Sequence, residues 1–114
     1  MLIYEYLRLK IYIRKYISDI SVSPTYAVNN VGSTQSFVCT ATGDSSVDIK
    51  WKGDDGVDIS SASQDAYSTD DGTRTSTLSF DSLELADDDT YTCYIEFGDN
   101  ESTEAAAQLD VIGM

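Results

Sequence analysis

The sequence has 114 residues, no histidine and two cysteines, and these shortages exclude several kinds of chemical site. Without histidine, the commonest general base and metal ligand is missing. Two cysteines cannot complete a structural zinc site, which needs four Cys or His ligands. Neither a Gly-x-Ser-x-Gly nucleophile motif nor a phosphate-binding loop occurs. The sequence therefore predicts no catalytic residue, no metal ligand and no cofactor, and a protein that is not an enzyme.

Positive charge is also scarce. Seven Lys and Arg residues stand against twenty Asp and Glu residues, which gives a formal net charge of −13. Nucleic acids and anionic membranes attract proteins through Lys and Arg side chains, so nucleic acid is excluded as a partner. No apolar run reaches the ~20 residues that a membrane-spanning helix requires. The sequence therefore predicts no membrane span within this chain.

Residues 1–19 differ from the rest of the chain and are predicted to lie outside the domain formed by residues 20–114. Residues 1–20 hold four basic and two acidic residues, a net charge of +2, whereas residues 21–114 hold three basic and eighteen acidic residues, a net charge of −15. Apolar and polar side chains alternate between Leu7 and Arg14, as in a β-strand, although a helical stripe also fits. Charges interrupt the apolar run that a secretory signal needs.

Three interpretations of residues 1–19 stay open. They are a degenerate leader, an edge-strand extension of the domain, or sequence not native to the domain, such as a misplaced start. The Ile, Tyr, Lys and Arg content of this segment, against the Gly, Ser, Asp and Thr of the remainder, favours the third.

From Ile20 onward, short alternating runs separated by turn residues predict an all-β sandwich or barrel. The predicted strands cover 20–23, 26–31, 33–41, 47–52, 57–60, 73–80, 90–97 and 103–112. The second run is predicted to continue the first after an interruption at Pro24, which an edge strand tolerates. Residues 61–72 are polar and irregular, with one weak edge strand near Tyr67.

The two cysteines lie far apart in the sequence, with a tryptophan between them. Cys39 and Cys93 are 54 positions apart, and a pair of this kind predicts one disulfide and so an oxidising compartment. Eleven residues separate Cys39 from Trp51, and Tyr91 precedes Cys93 by two positions.

Several positions agree at once with one known pattern, namely Cys39, Trp51, Leu78, Asp87, Tyr91 and Cys93. This pattern resembles the core of the immunoglobulin superfamily, in which a Cys-Trp-Cys cluster lies between two sheets and a tyrosine anchors a corner. The resemblance implies a two-sheet Greek-key sandwich with one inter-sheet disulfide. The short spacing of the cysteines is similar to that of intermediate-set or constant-2 domains. Asp89 departs from the pattern, which usually has Gly or Ala at this position.

The resemblance also implies a function in recognition. It indicates an extracellular module of a cell-surface receptor or adhesion molecule, a fragment of a multidomain protein that binds a protein ligand or a homophilic partner. An intracellular spacer domain of a filament or muscle-type protein is the alternative. The candidate binding face consists of four side chains predicted to point outward from one sheet, with the tyrosine as an exposed anchor. They are Lys50, Lys52, Tyr94 and Glu96.

Two further motifs are weaker signals. Asn100-Glu101-Ser102 is an N-glycosylation sequon in a predicted hairpin tip, which is the exposed setting that such a site requires. Clusters of aspartate raise the question of calcium, but their spacing does not match a helix-loop-helix calcium loop. Solvated turns are the expected role of these acidic residues.

Overall fold

The computed structural model describes residues 17–43, 48–64, 68, 72–96 and 102–113. Within these residues the chain forms nine β-strands and one short 3₁₀ helix. The strands are β1 (Ile17–Ser23), β2 (Tyr26–Asn30), β3 (Gln35–Gly43), β4 (Lys50–Lys52), β5 (Asp58–Ile59), β6 (Ser63–Gln64), β7 (Thr73–Phe80), β8 (Asp89–Glu96) and β9 (Ser102–Ile112). The helix, Leu85–Asp87, lies in the corner between β7 and β8.

The strands form two sheets packed face to face. One sheet has the order β1-β3-β7-β6 and the other has the order β2-β9-β8-β4-β5. Every pair is antiparallel except β2 with β9, which is parallel. The prediction of an all-β, two-sheet sandwich is confirmed.

The core lies between the sheets and is filled by the inward half of each strand. Successive side chains of a strand point to opposite faces, so alternate residues of β3, β7, β8 and β9 meet in one interior. The buried core residues are Val22, Phe37, Cys39, Ala41, Ile49, Trp51, Leu78, Leu83, Tyr91, Cys93, Ile95, Ala107, Leu109 and Val111. The predicted inward positions in β3, β7 and β9 belong to this set or pack against it, except Ser76, which is buried as a polar side chain.

The disulfide joins the two sheets through this core. Cys39 on β3 is bonded to Cys93 on β8, and both residues are 0% exposed. Trp51 on β4 is 1% exposed and belongs to the same cluster. The predicted inter-sheet disulfide and the buried tryptophan are therefore confirmed.

The structure corrects the prediction that residues 26–31 continue the first strand. β1 pairs with β3, whereas β2 pairs with β9 in the opposite sheet. Pro24 lies between the two strands and has no N–H group with which to extend the ladder to β3. The chain therefore leaves the first sheet at this proline and joins the second.

Two strand boundaries also differ from the predicted ones. β1 begins at Ile17, so Ile17 and Asp19, placed outside the domain by the sequence, pair with β3. β4 begins at Lys50 rather than at residue 47. The backbone N–H of Ile49 donates instead to the side-chain Oε1 of Gln64 at 2.9 Å, so a side chain satisfies this buried backbone group. Val47 and Tyr67 lie outside the described residues.

The corner before β8 has the tyrosine anchor that the resemblance implies. The hydroxyl of Tyr91 donates to the backbone carbonyl of Asp87 at 2.6 Å. The Tyr91 ring packs against Phe80, with a centroid separation of 5.3 Å, and against Phe37 at 6.3 Å. One side chain thereby ties the corner to the core.

The three successive acids of the corner do not disturb it, because each carboxylate accepts a hydrogen bond from a backbone N–H group. The donors are Glu84 N to Asp87 at 2.8 Å, Val111 N to Asp88 at 2.9 Å and Thr90 N to Asp89 at 2.7 Å. Asp89, the departure from the family pattern, is thus accommodated by a local hydrogen bond. Charge-assisted bonds of this kind are stronger than neutral ones.

Candidate functional site

The four residues of the candidate binding face do lie on one side of one sheet. Strand β4 pairs with β8 so that Lys50 is opposite Tyr94, and Lys52 is opposite Thr92. Glu96 lies two positions beyond Tyr94 on β8 and therefore shares its face. We call the side of the five-stranded sheet that points away from the core the outer face.

Tyr94 is not the exposed anchor that the sequence predicts, because it is only 8% exposed. Its hydroxyl donates to Oδ1 of Asp58 on β5, and the Nζ of Lys52 lies 4.8 Å from its ring centroid. β8 has a neighbouring strand on each side, so side chains from both directions cover the ring. Tyr94 therefore lies beneath other side chains of the outer face and contacts two of them, Asp58 and Lys52.

Two ion pairs cross this part of the outer face. Nζ of Lys50 lies 3.1 Å from Oε1 of Glu96, and Nζ of Lys52 lies 3.9 Å from Oε1 of Glu104. The Lys50 and Glu96 side chains are 48% and 59% exposed, so water screens their attraction. Glu104 was missed by the sequence analysis, although it lies opposite Tyr94 once β8 and β9 are aligned.

The other half of the outer face carries a chain of hydrogen bonds between uncharged groups and one carboxylate. Tyr26 on β2 donates to Oδ2 of Asp110 on β9 at 2.5 Å. The Nε2 of Gln108 donates to Oδ1 of the same carboxylate at 2.9 Å, and Thr90 donates to Oε1 of Gln108. The hydrogen bond from Tyr26, followed by that from Gln108, lowers the pKa of Asp110. Asp110 is thereby held in its ionised form.

Two tyrosines have strongly raised pKa values. The hydrogen bond to Asp58 is the largest cause of the rise in the pKa of Tyr94 to about 12, followed by burial and by the charges of Asp58 and Glu96. Burial is the main cause of the rise in the pKa of Tyr91 to about 12, and the nearby corner carboxylates add to it.

These pKa values predict a loss of stability in alkali. Unfolded tyrosine titrates near pH 10, below the folded values, so the stabilisation is complete below pH ~10 and is lost as the pH rises towards 12. The expected loss is on the order of 2 kcal/mol for each tyrosine. Urea unfolding between these pH values measures it. Tyr94→Phe removes one of the two titrations and should flatten the dependence on pH; an unchanged slope would contradict the assignment.

The remaining candidate features of the described residues do not form a chemical site. An open cleft of about 260 Å³ lies at the β5 edge, between Trp51, Ile59 and Gln64, and is smaller than the usual ligand pocket. Among the described residues, no three Cys, His, Asp or Glu side chains are arranged to hold a metal ion. No helix in this part of the chain has the length and hydrophobicity needed to cross a membrane.

Of the other predicted residues, Leu78 is 1% exposed in the core and Asp87 holds the corner. Asn100 lies outside the described residues.

The model of the immunoglobulin I-set domain matches residues 18–111. The chain belongs to the immunoglobulin I-set family. This match covers most of the chain and confirms the resemblance to an intermediate-set domain. No curated protein matches the sequence.

Solved structures of immunoglobulin domains have a similar fold at low sequence identity. The N-terminal four Ig domains of Dscam1 isoform 4.44 match with a TM-score of 0.60 and 24% identity, over 84% of this chain and 21% of that one. The complex of titin M10 with an obscurin-like 1 Ig domain matches with a TM-score of 0.60 and 15% identity, over 89% of this chain and 96% of that one. Titin domains I67–I69 match with a TM-score of 0.60 and 20% identity, over 88% of this chain and 33% of that one. The chain thus spans about a fifth of the Dscam1 structure, and these likenesses show the fold alone.

Proposed function

We propose that this I-set domain is an extracellular protein-recognition module of a cell-surface receptor or adhesion molecule. The observation that carries the proposal is the disulfide between Cys39 and Cys93 at the centre of the core, where both residues are 0% exposed. Structural disulfides persist in secreted and surface proteins and are rare in the cytosol, where thiols are kept reduced. Among the described residues, no cysteine is left free.

The outer face is the surface proposed to contact the partner. It presents cations and anions side by side on rigid strands, and the pairs of Lys50 with Glu96 and Lys52 with Glu104 are open to water. Mixed charges of this kind speed the association of two proteins and fix their relative position more than they increase the affinity. A protein surface with its own opposite charges, from a ligand or a second copy, satisfies such a pattern better than a small molecule does.

The ion pair between Lys50 and Glu96 offers a way to test this face without unfolding the domain. Because both side chains are about half exposed, Lys50→Ala and Glu96→Ala are each expected to change the free energy of unfolding by less than about 1 kcal/mol. Urea unfolding checks this. A much larger loss would show that the pair is structural and would argue against its role as an adaptable contact.

An intracellular spacer domain is the second candidate. The titin structures match this chain about as well as the Dscam1 structures do, and the outer-face charges are already satisfied within the domain. A spacer needs no binding face, and its cysteines would be reduced. The redox state of Cys39 and Cys93 in cells therefore separates the two candidates.

The test is expression in a secreting eukaryotic cell, with intact mass measured on medium and lysate. Two versions are compared, the full chain and a chain in which a known signal peptide replaces residues 1–16. The extracellular proposal expects secreted protein, lighter by two hydrogens for the disulfide, with glycan lost in an Asn100→Gln control. If the version with the signal peptide is absent from the medium, and folded protein with reduced cysteines is found only in the lysate, the spacer function is favoured.

A further inference from the structure

Strand β2 is the edge of the five-stranded sheet, and no described strand pairs with its outer side. The carbonyl of Thr25 and the N–H of Val31 both bond to β9. In a parallel ladder every second residue bonds to the same neighbour, so Tyr26 and Val28 direct their backbone groups to the open side. Two residues therefore offer backbone donors and acceptors to an added strand.

The same strand exposes apolar surface. Tyr26 is 55% exposed, Val28 is 47% exposed, and Ile112 beside them on β9 is 46% exposed. Register places all three on the outer face, and we call them the β2 strip. Natural edge strands are usually protected by lysine, a bulge or a covering segment. Within β2 itself there is no charged residue, so the strip is suited to being covered.

The distribution of charge along the chain indicates which segment covers the β2 strip. Asp110 lies beside the strip, opposite Val28, and a second carboxylate, that of Asp88, accepts a hydrogen bond from the backbone N–H of Val111 next to it. The three cations of the described residues already have partners, Lys50 with Glu96, Lys52 with Glu104 and Arg74 with Asp48. The chain's other four cations are all in residues 1–16, where apolar side chains alternate with Arg8, Lys10 and Arg14. That alternation is the period of a strand.

Residues 7–14 cannot all lie along β2 of their own molecule, because the end of the segment at Arg14 cannot reach that strand. Arg14 is three residues before Ile17, a distance of at most about 11 Å in extended chain. β1 starts at Ile17 and is itself about 20 Å long, and β2 starts only beyond its far end. The β2 edge of a second copy has no such restriction.

We propose that residues 7–14 of one copy add as a strand to the β2 edge of another, with their basic side chains beside Asp110. The contact lies at the β2 edge, away from the part of the outer face around Lys50 and Glu96 proposed above to bind a partner, and it does not depend on that recognition. Reciprocal exchange of the two segments closes a two-fold dimer and leaves neither edge open. Backbone hydrogen bonds would supply the affinity, and the opposite charges would select this segment.

The experiment is sedimentation equilibrium of the full chain, of two variants with one substitution each and of one triple charge reversal. Val28→Lys places a cation in the β2 strip, and Val38→Lys makes the same change at a valine that is 38% exposed on the other sheet. The wild type and Val38→Lys are expected to dimerise alike, whereas Val28→Lys dimerises at least tenfold more weakly. Arg8→Glu/Lys10→Glu/Arg14→Glu should weaken the dimer as much, and added salt should weaken the wild-type dimer.

Hydrogen exchange provides a second readout on the same samples. The amides of Tyr26 and Val28 should be protected in the wild type and should exchange faster in the triple charge reversal. A wild-type chain that stays monomeric, with equal exchange at these amides in both proteins, would overturn the proposal. A dimer that survives the charge reversal and strengthens with salt would also overturn it and would point to direct pairing of two β2 edges.

Discussion

Replacing Cys39 and Cys93 together by alanine is expected to lower the free energy of unfolding by more than the ~4 kcal/mol that the lost crosslink accounts for. The disulfide closes a loop with a sequence separation of 54, and opening it returns that conformational freedom to the unfolded chain. Both cysteines are 0% exposed, so the removed sulfur atoms also leave unfilled space between the sheets. For a domain of this size, such a loss is a large share of the total stability.

Urea unfolding of the oxidised wild type and the double alanine variant measures this loss. The matched control is the wild type after reduction, which loses the crosslink but keeps both sulfur atoms. Its stability should lie between the other two, because only the entropic part is lost. If reduction costs less than about 1 kcal/mol, the crosslink is not a main support of this fold, and the extracellular proposal loses its principal argument.

Trp51→Ala is expected to cost about 3–5 kcal/mol, since it removes one of the largest fully buried side chains of the domain. Trp51 is 1% exposed and lies in the same core cluster as both cysteines. Neighbours from both sheets pack around it, so the structure can collapse only partly into the space. Urea unfolding, with the slope compared between the two proteins, separates this loss from a change in the unfolded state.

Trp51 also makes a buried hydrogen bond, whose contribution to stability can be tested separately from the loss of side-chain volume. Its indole Nε1–H donates to Oγ of Ser76 at 3.0 Å, and Ser76 donates onward to the backbone carbonyl of Ser63 at 2.6 Å. Ser76→Ala leaves the indole N–H unpaired in the core, which costs about 1–3 kcal/mol.

The double variant Trp51→Phe/Ser76→Ala should be more stable than the sum of the single losses predicts, by about 1 kcal/mol. Strict additivity would show that this hydrogen bond carries no net energy.

Two parts of the outer face, one around Tyr94 and the other at the β2 strip, differ in chemistry. Around Tyr94, Lys and Glu side chains are paired with each other, so a partner there has to exchange existing contacts for new ones. At β2, exposed apolar side chains and an open strand edge occur together. Variants at Lys50 and at Val28 therefore probe recognition and self-association separately.

Much of this architecture could be predicted from local patterns. Alternation identified the inward residues of β3, β7 and β9, and the spacing of Cys39, Trp51 and Cys93 indicated the inter-sheet cluster. The tyrosine corner was also within reach, because Tyr91 and Asp87 are only four residues apart. These predictions succeeded because each depends on residues of one strand, or on a few side chains with restrictive roles.

The exposure of Tyr94 could not be predicted in the same way. Alternation correctly placed it on the outer face, but its burial depends on Asp58 and Lys52, which reach it from other strands. The partner of Glu104 depends in the same way on how β9 aligns with β8. The face to which a side chain points follows from its own strand, whereas its exposure depends on side chains of neighbouring strands.

The sequence by itself determined the class of fold, the inward side of the main strands and the disulfide, since strand period and the roles of Cys and Trp are properties of the chain. Only the tertiary structure decided that β2 leaves β1 and joins β9, and that its other edge stays open. Sheet membership follows from backbone hydrogen bonds between segments about 80 residues apart, and such bonds carry no side-chain signature in either segment.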